Sequence, residues 1–200
     1  MTPSGRKRTV NRLARPAQLL YAPDRRTWRS WLRAHSQTEK AVWLVYYKKN
    51  TGKPRILYND AVEEALCFGW IDSSVNAIDD EKFAQKFTPR NPGSPYSQAN
   101  KERLRALIER GRVVKAVLDT LPDLGPKRFK VPPDILKALK ANPTAWKNFR
   151  RFSPSYKRIR AGFIEGARNR PGEFRKRLDY FIRMTEKNRI FGFGGIEKHY

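Results

Sequence analysis

At 200 residues the chain is long enough to bury one large or two small cores without covalent staples. Its single cysteine excludes an intramolecular disulfide, and its two histidines, His35 and His199, lie at opposite ends, so no Cys/His cluster has zinc spacing and no metal is expected. The net charge of +24 is unevenly placed: residues 1–40 hold ten Lys/Arg against two acids, residues 41–99 seven against seven, and residues 100–200 hold 26 against ten.

The longest uninterrupted apolar run, Ala41 to Tyr47, falls far short of the roughly 20 residues of a membrane span. The Arg-rich start leads into no apolar segment of the signal-peptide kind, so a reducing, cytoplasmic location is expected. No motif calls for a cofactor.

In chain order, residues 1–20 read as a basic flexible arm. Pro23-Asp24 starts a short amphipathic helix over Arg25 to Ala34, with Trp28, Trp31 and Leu32 on one face. Ala41 to Lys48 is apolar or aromatic on both faces, as in a central strand covered on two sides, and Asn50 to Pro54 is a turn. Asn59 and Asp60 are N-cap residues, and Glu63 three residues after Asp60 has capping-box spacing, which predicts a helix reaching Trp70. Ser74 to Ile78 and Phe83 to Thr88 form a hairpin, with Phe83, Gln85 and Phe87 on one face. Pro89 to Tyr96 is too proline-rich for a helix or strand and reads as an ordered loop or a mobile lid.

A helix begins near Asn100 and ends at Gly111, a second covers Val113 to Leu118, and residues 121–133 form a Pro-rich linker. Asp134 caps a helix through Ile135, Leu136 and Leu139; Phe149 to Pro154 is a turn; Tyr156 to Arg168 and Glu173 to Thr185 are helices. The bundle closes by burying Trp146, Phe149, Phe152 and Phe163. Residues 188–200 form a Gly-rich tail that can lie along the core through Phe191, Phe193 and Ile196. The expected fold class is α+β: a small antiparallel-rich sheet packed by helices over residues 21–120, then a small helical C-terminal domain over 134–187.

The order VWLVYYKKNTGKP, AVEEALCFGWIDS and FTPRNPGSPYSQANKERLRALIERGR resembles the YdeI/OmpD-associated family, whose members are labelled bacteriocin-protection proteins. The resemblance runs from Tyr21 to Lys187 and includes VPPDILKALKANPTAWKNFRRFSPSYKRIRAGFIEGAR, similar to the family's small C-terminal domain. Two departures stand out: Tyr96 replaces the tryptophan of an SxWS element, and Pro171-Gly172 stand where a Glu-Thr-Arg run is usual. The family label implies a role in toxin resistance or envelope stress and no defined reaction.

Three groups of side chains carry candidate chemistry. Cys67, one turn from Glu63, is a nucleophile candidate, but its late position in a helix, beside a carboxylate and in apolar company, reads better as a buried core residue. Asp72 follows a buried helix end and needs cationic or N–H partners, Arg90 first and Lys48 or Lys49 next. It is either a structural ion pair or a carboxylate that orients a ligand or acts as general base; Asp72 and Arg90 are the catalytic candidates.

Lys48, Lys49, Arg90, Ser94, Ser97 and Asn100 are the residue types of an anion site, with the helix N-terminus near Asn100 adding backbone donors. Ser97 and Asn100 are equally good N-caps, and Trp43 and Trp70 are equally good core residues or ring-stacking walls.

Two function classes follow. The first is a pocket for a small anionic ligand in the α+β domain, lined by Lys48, Trp70, Asp72, Arg90, Ser94, Ser97 and Asn100. The second is a basic module that binds non-specific nucleic acid or protein through its arm and C-terminal half, without catalysis.

Overall fold

The apolar, partly β-branched run at Val42–Tyr47 forms strand β2, buried at five of its six positions, and the first half of the protein is built around it. The computed structural model describes residues 18–125 and 129–192 and divides into two units, Met1–Pro92 and Gly93–Tyr200. In the first unit β1 (Leu19–Tyr21), β2, β3 (Trp70–Ala77) and β4 (Lys82–Pro89) form a mixed sheet in the order β1-β2-β4-β3. The β2–β4 and β3–β4 pairings are antiparallel. The edge strand β1 adds a parallel pairing, Leu19 opposite Trp43 and Tyr21 opposite Val45, so the ordered sheet begins inside the segment expected as a flexible arm. Residues 1–17 of that arm lie outside the described residues.

The fold is α+β, as the patterning predicts. Helix α1 (Arg25–His35) starts where Asp24 caps it, accepting from Thr27 N at 2.8 Å. Helix α2 (Tyr58–Cys67) differs from expectation at both ends. Its N-cap is Leu57, without a side-chain cap, because Asp60 and Glu63 turn to Arg25 instead of to the helix N–H groups. It stops before Trp70 because Gly69 takes φ +74°, a left-handed conformation that ends the helix and starts β3 within three residues. The LCFGWID segment is therefore a helix end, a turn and a strand start.

Charged side chains hold α1 on α2. Arg25 reaches Asp60 at 3.0 Å and Glu63 at 2.9 Å and also pairs with Glu64, which takes a second arginine, Arg29, at 2.5 Å. Glu64 is fully buried, so its charge exists there only because two guanidinium groups replace its water. Tryptophans complete the contact: Trp28 donates from Nε1 to Ala61 O at 3.0 Å and packs on Phe87, while Trp70 donates to Ser36 O at 3.0 Å and meets Trp31 edge-on.

The second unit is helical: α3 (Gln98–Glu109), α4 (Lys115–Leu118), α5 (Pro133–Lys140), α6 (Pro143–Arg151), α7 (Pro154–Glu165) and α8 (Pro171–Glu186). Each of α5 to α8 opens on a proline, whose fixed φ suits the first helical turn and whose missing N–H costs nothing there. That explains α6, which covers part of the expected Phe149 to Pro154 turn, and it explains Pro171. Asp134 lies inside the first turn of α5 rather than capping it, and its carboxylate accepts from Arg168.

Ile135, Leu139, Phe149, Phe152, Tyr156 and Phe181 form the core. Phe163, expected there, is instead 48% exposed. Segment 121–125 is tied to α3 through Arg105, which donates to Leu124 O, and Leu124 is buried; residues 126–128 of the expected linker lie outside the described residues.

Helices α3 and α7 cross closely because Gly162 has no side chain; a Cβ there would stand 2.7 Å from Gln98 Cβ. Glu102 secures the crossing: it is buried, accepts from Arg158 at 2.6 and 3.1 Å, and pairs with Arg105. Phe191 follows α8 and packs on Tyr180 and Phe181, its N–H donating to Tyr156 Oη at 3.2 Å; Phe193 and Ile196 lie outside the described residues.

Burial alone would raise the carboxyls of Glu64 and Glu102, and the arginine hydrogen bonds more than reverse it, holding both below the ordinary value of 4.5. A carboxyl lowered by folding adds stability that is complete above the unfolded value and is lost as pH falls through the folded one. Urea unfolding should therefore show a plateau above pH 4.5 and a decline below it. Glu64→Gln, which leaves two arginines facing a neutral amide, should lower the unfolding free energy by about 3 kcal/mol at neutral pH and flatten part of that decline.

Candidate functional site

Asp72 sits on the sheet face that carries α2. Register places Trp70 opposite Pro89 and Asp72 opposite Phe87, while Val42, Leu44 and Tyr46 lie opposite Phe87, Gln85 and Phe83, so Tyr46, Gln85 and Asp72 share one face. There the Asp72 Oδ2 accepts from Tyr58 Oη at 2.9 Å and from Gln85 Nε2 at 2.8 Å. Tyr58 comes from the first turn of α2, which α1 holds in place. Between Asp72 and Val75 the β3–β4 register slips, a bulge of the kind that re-aims side chains beside functional sites.

Tyr46 lies behind this carboxylate, 3% exposed, its hydroxyl buried and without a hydrogen-bond partner among the described residues. Burial first, then the neighbouring Tyr58 and Asp72, push its phenol far above the ordinary range, while Arg55 acts in the opposite sense. The phenol therefore stays protonated. Arg55 donates to Tyr47 O at 3.0 Å, which keeps its cation next to the cluster. The cluster thus combines a carboxylate acceptor, a buried hydroxyl without a hydrogen-bond partner among the described residues and a guanidinium that acts on it electrostatically.

The other expected site residues divide between the units. Lys48 is exposed at the end of β2, its N–H donating to Glu81 O at 2.7 Å and its carbonyl accepting from Thr51 Oγ1 at 2.8 Å. Arg90 is half-buried, and its N–H donates to Gly69 O at 2.9 Å, which sets it opposite Gly69 and one step out of phase with Asp72 along the strand pair. Trp70 is 1% exposed and its indole N–H is engaged by Ser36, a core arrangement.

In the second unit Ser94 is exposed, Ser97 caps α3 by accepting from Asn100 N at 3.2 Å, and Asn100 accepts from Arg103 at 2.8 Å. Cys67 is fully buried beside Arg29. Among the described residues no group of three or more His, Cys, Asp or Glu could hold a metal, and no helix is long and apolar enough to cross a membrane.

Sequence reasoning singled out Asp72 but missed Tyr46, Tyr58 and Arg55 as its company. The available signal was Gln85, a polar residue between Phe83 and Phe87 on an otherwise aromatic face; a buried amide needs a partner across the sheet.

A family model described as a domain of unknown function, DUF8412, matches residues 20–120. A second, described as "Bacteriocin-protection, YdeI or OmpD-Associated", matches residues 128–188. No curated protein and no solved structure matches the chain.

Two measurements check this geometry. Tyr46→Phe removes a buried hydroxyl that has no partner, so unfolding in urea should be unchanged or stabilised by up to about 1 kcal/mol, whereas Tyr58→Phe and Gln85→Leu should each cost about 1 to 3 kcal/mol. Cys67 should resist a thiol reagent in the native protein and react only at the rate of unfolding; rapid labelling would revive it as a nucleophile.

Proposed function

Since the chain belongs to the DUF8412 family through residues 20–120 and carries a segment similar to the YdeI/OmpD-associated family over residues 128–188, we propose that its α+β unit binds a small anionic ligand at Asp72. The observation that carries this reading is the buried Tyr46 hydroxyl, without a hydrogen-bond partner among the described residues and within electrostatic reach of the carboxylate that Tyr58 and Gln85 hold in position. A folded chain gains nothing from an unsatisfied buried hydroxyl, and a ligand gives it a use.

The ligand class follows from the groups present. A hydroxyl or amine of the ligand donates to Asp72, and an anionic end lies toward Arg55, with exposed Lys48 adding positive potential at the rim. Hydroxy acids and phosphorylated alcohols have both features. A role in bacteriocin resistance or stress rests on the family description alone.

The full chain titrated with glycolate, lactate and glycerol phosphate, followed by amide chemical shifts, tests the reading. Shifts at Tyr46, Tyr58, Asp72 and Gln85 are expected, and Asp72→Asn should weaken binding by about tenfold or more, the loss expected on removing one charge-assisted hydrogen bond. Shifts confined to other residues would overturn it.

One observation favours a second reading. Lys137, Lys140, Lys147, Arg150 and Arg151 are all exposed on α5 and α6, where the one acid, Asp134, is paired with Arg168. Such a face attracts polyanions without base specificity. Gel shift with duplex DNA at low and high salt measures it, because that attraction collapses as salt rises.

A further inference from the structure

The second unit has a half-open pocket of about 160 Å³ between α7, α8 and Phe191. Its walls are Phe163, Ile164, Tyr180, Phe181 and Phe191, so a ligand must be largely apolar to fill it. Cavities on the order of 150 Å³ lined by such side chains hold one benzene ring and little more. A long acyl chain exceeds that volume, a short one leaves the ring-shaped walls partly uncovered, and an inorganic anion leaves them without contacts.

The charged lining decides the rest. Arg160, Lys176 and Arg177 face the cavity against a single carboxylate, Glu173. That carboxylate is already committed: it accepts from Arg177 Nε at 2.7 Å. Arg177 Nη1 donates to Phe163 O at 2.7 Å and its guanidinium lies 3.9 Å over the Phe163 ring, which fixes the plane of the fork. Its Nη2 donors have no protein partner among the described residues. Arg160 is 6% exposed, stacked 5.1 Å from the Phe191 ring and 5.5 Å from Phe163. A surplus of positive charge at the rim of an aromatic pocket favours an anion attached to an apolar body.

We propose that this cavity is a binding site for a single-ring aromatic carboxylate, with the ring between Phe163, Tyr180 and Phe191 and the carboxylate on Arg177 and Lys176. The site is separate from Asp72 and stands whether or not the α+β unit binds a ligand.

Sodium benzoate added to the full chain, read by amide chemical shifts, tests this. Shifts should cluster at residues 160–164, 173–181 and 191, away from those that report on Asp72. Benzyl alcohol, which keeps the ring and loses the charge, and inorganic phosphate, which keeps a charge and loses the ring, should each bind at least about tenfold more weakly. Arg177→Gln should weaken benzoate by a similar factor. Phe163→Ala, at a half-exposed wall, should weaken it severalfold with the fold intact by circular dichroism.

Equal binding of benzyl alcohol would reduce the site to an apolar void, and equal binding of phosphate would reduce it to general basic surface. Either result overturns the proposal, as would scattered shifts or none.

Discussion

The architecture of the first unit depends on the buried charge of Glu64. A carboxylate with no exposure cannot persist in an apolar interior without cationic partners, and both partners come from the neighbouring helix, Arg25 and Arg29. This fixes more than a contact. Arg25 also spans Asp60 and Glu63, so the first two turns of α2 are read against one turn of α1, and a sliding of either helix would strand a charge. With that register set, Trp28 lies under α2 and on Phe87, and Tyr58 at the start of α2 is carried over β3 to Asp72. The candidate site is thus a consequence of a charge cluster on the other side of the same helix.

The second unit uses the same device with different helices. Glu102 of α3 is buried and held by Arg158 of α7, where Gly162 lets the two backbones approach. Glu63, Glu64 and Glu102 are all buried, and Arg25, Arg29, Arg105 and Arg158 are drawn in with them, so the pairs nearly cancel and the basic surface reflects the excess of Lys and Arg in the composition. Exposed cations on α5 and α6, and the cations around the aromatic cavity, follow from that imbalance.

The LCFGWID segment joins these themes. Phe68 N donates to Ala65 O at 3.0 Å and Gly69 N to Leu66 O at 3.2 Å, closing the last turn of α2, and the left-handed Gly69 then sends the chain directly into β3. So short a connection leaves little freedom: Trp70 must enter the core on the face that α1 covers, and Asp72, two residues on, must share that face. A longer turn would have separated the carboxylate from Tyr58.

Much of this was legible in the amino-acid sequence. Alternation and β-branching identified β2 and the hairpin, 3.6-residue spacing identified most helices, and the clustering of apolar residues around Cys67 announced its burial; these signals are local, and local sterics and patterning generate them. The sequence also marked Asp72, because a carboxylate after a buried helix end must be compensated. It did not say by what. A hydrogen bond from Gln85 or Tyr58, a pairing of Arg25 with residues 35 to 39 positions away, the parallel strand at Leu19 and the lining of a pocket by Phe163, Tyr180 and Phe191 all depend on which distant segments meet. Asp60 and Glu63 show the difference most plainly: their spacing is that of a capping box, and their carboxylates went to an arginine on another helix, because a half-buried guanidinium is a stronger partner than a backbone N–H. Sequence determined which elements form and which charges require a partner, and tertiary structure alone decided which partner each one received.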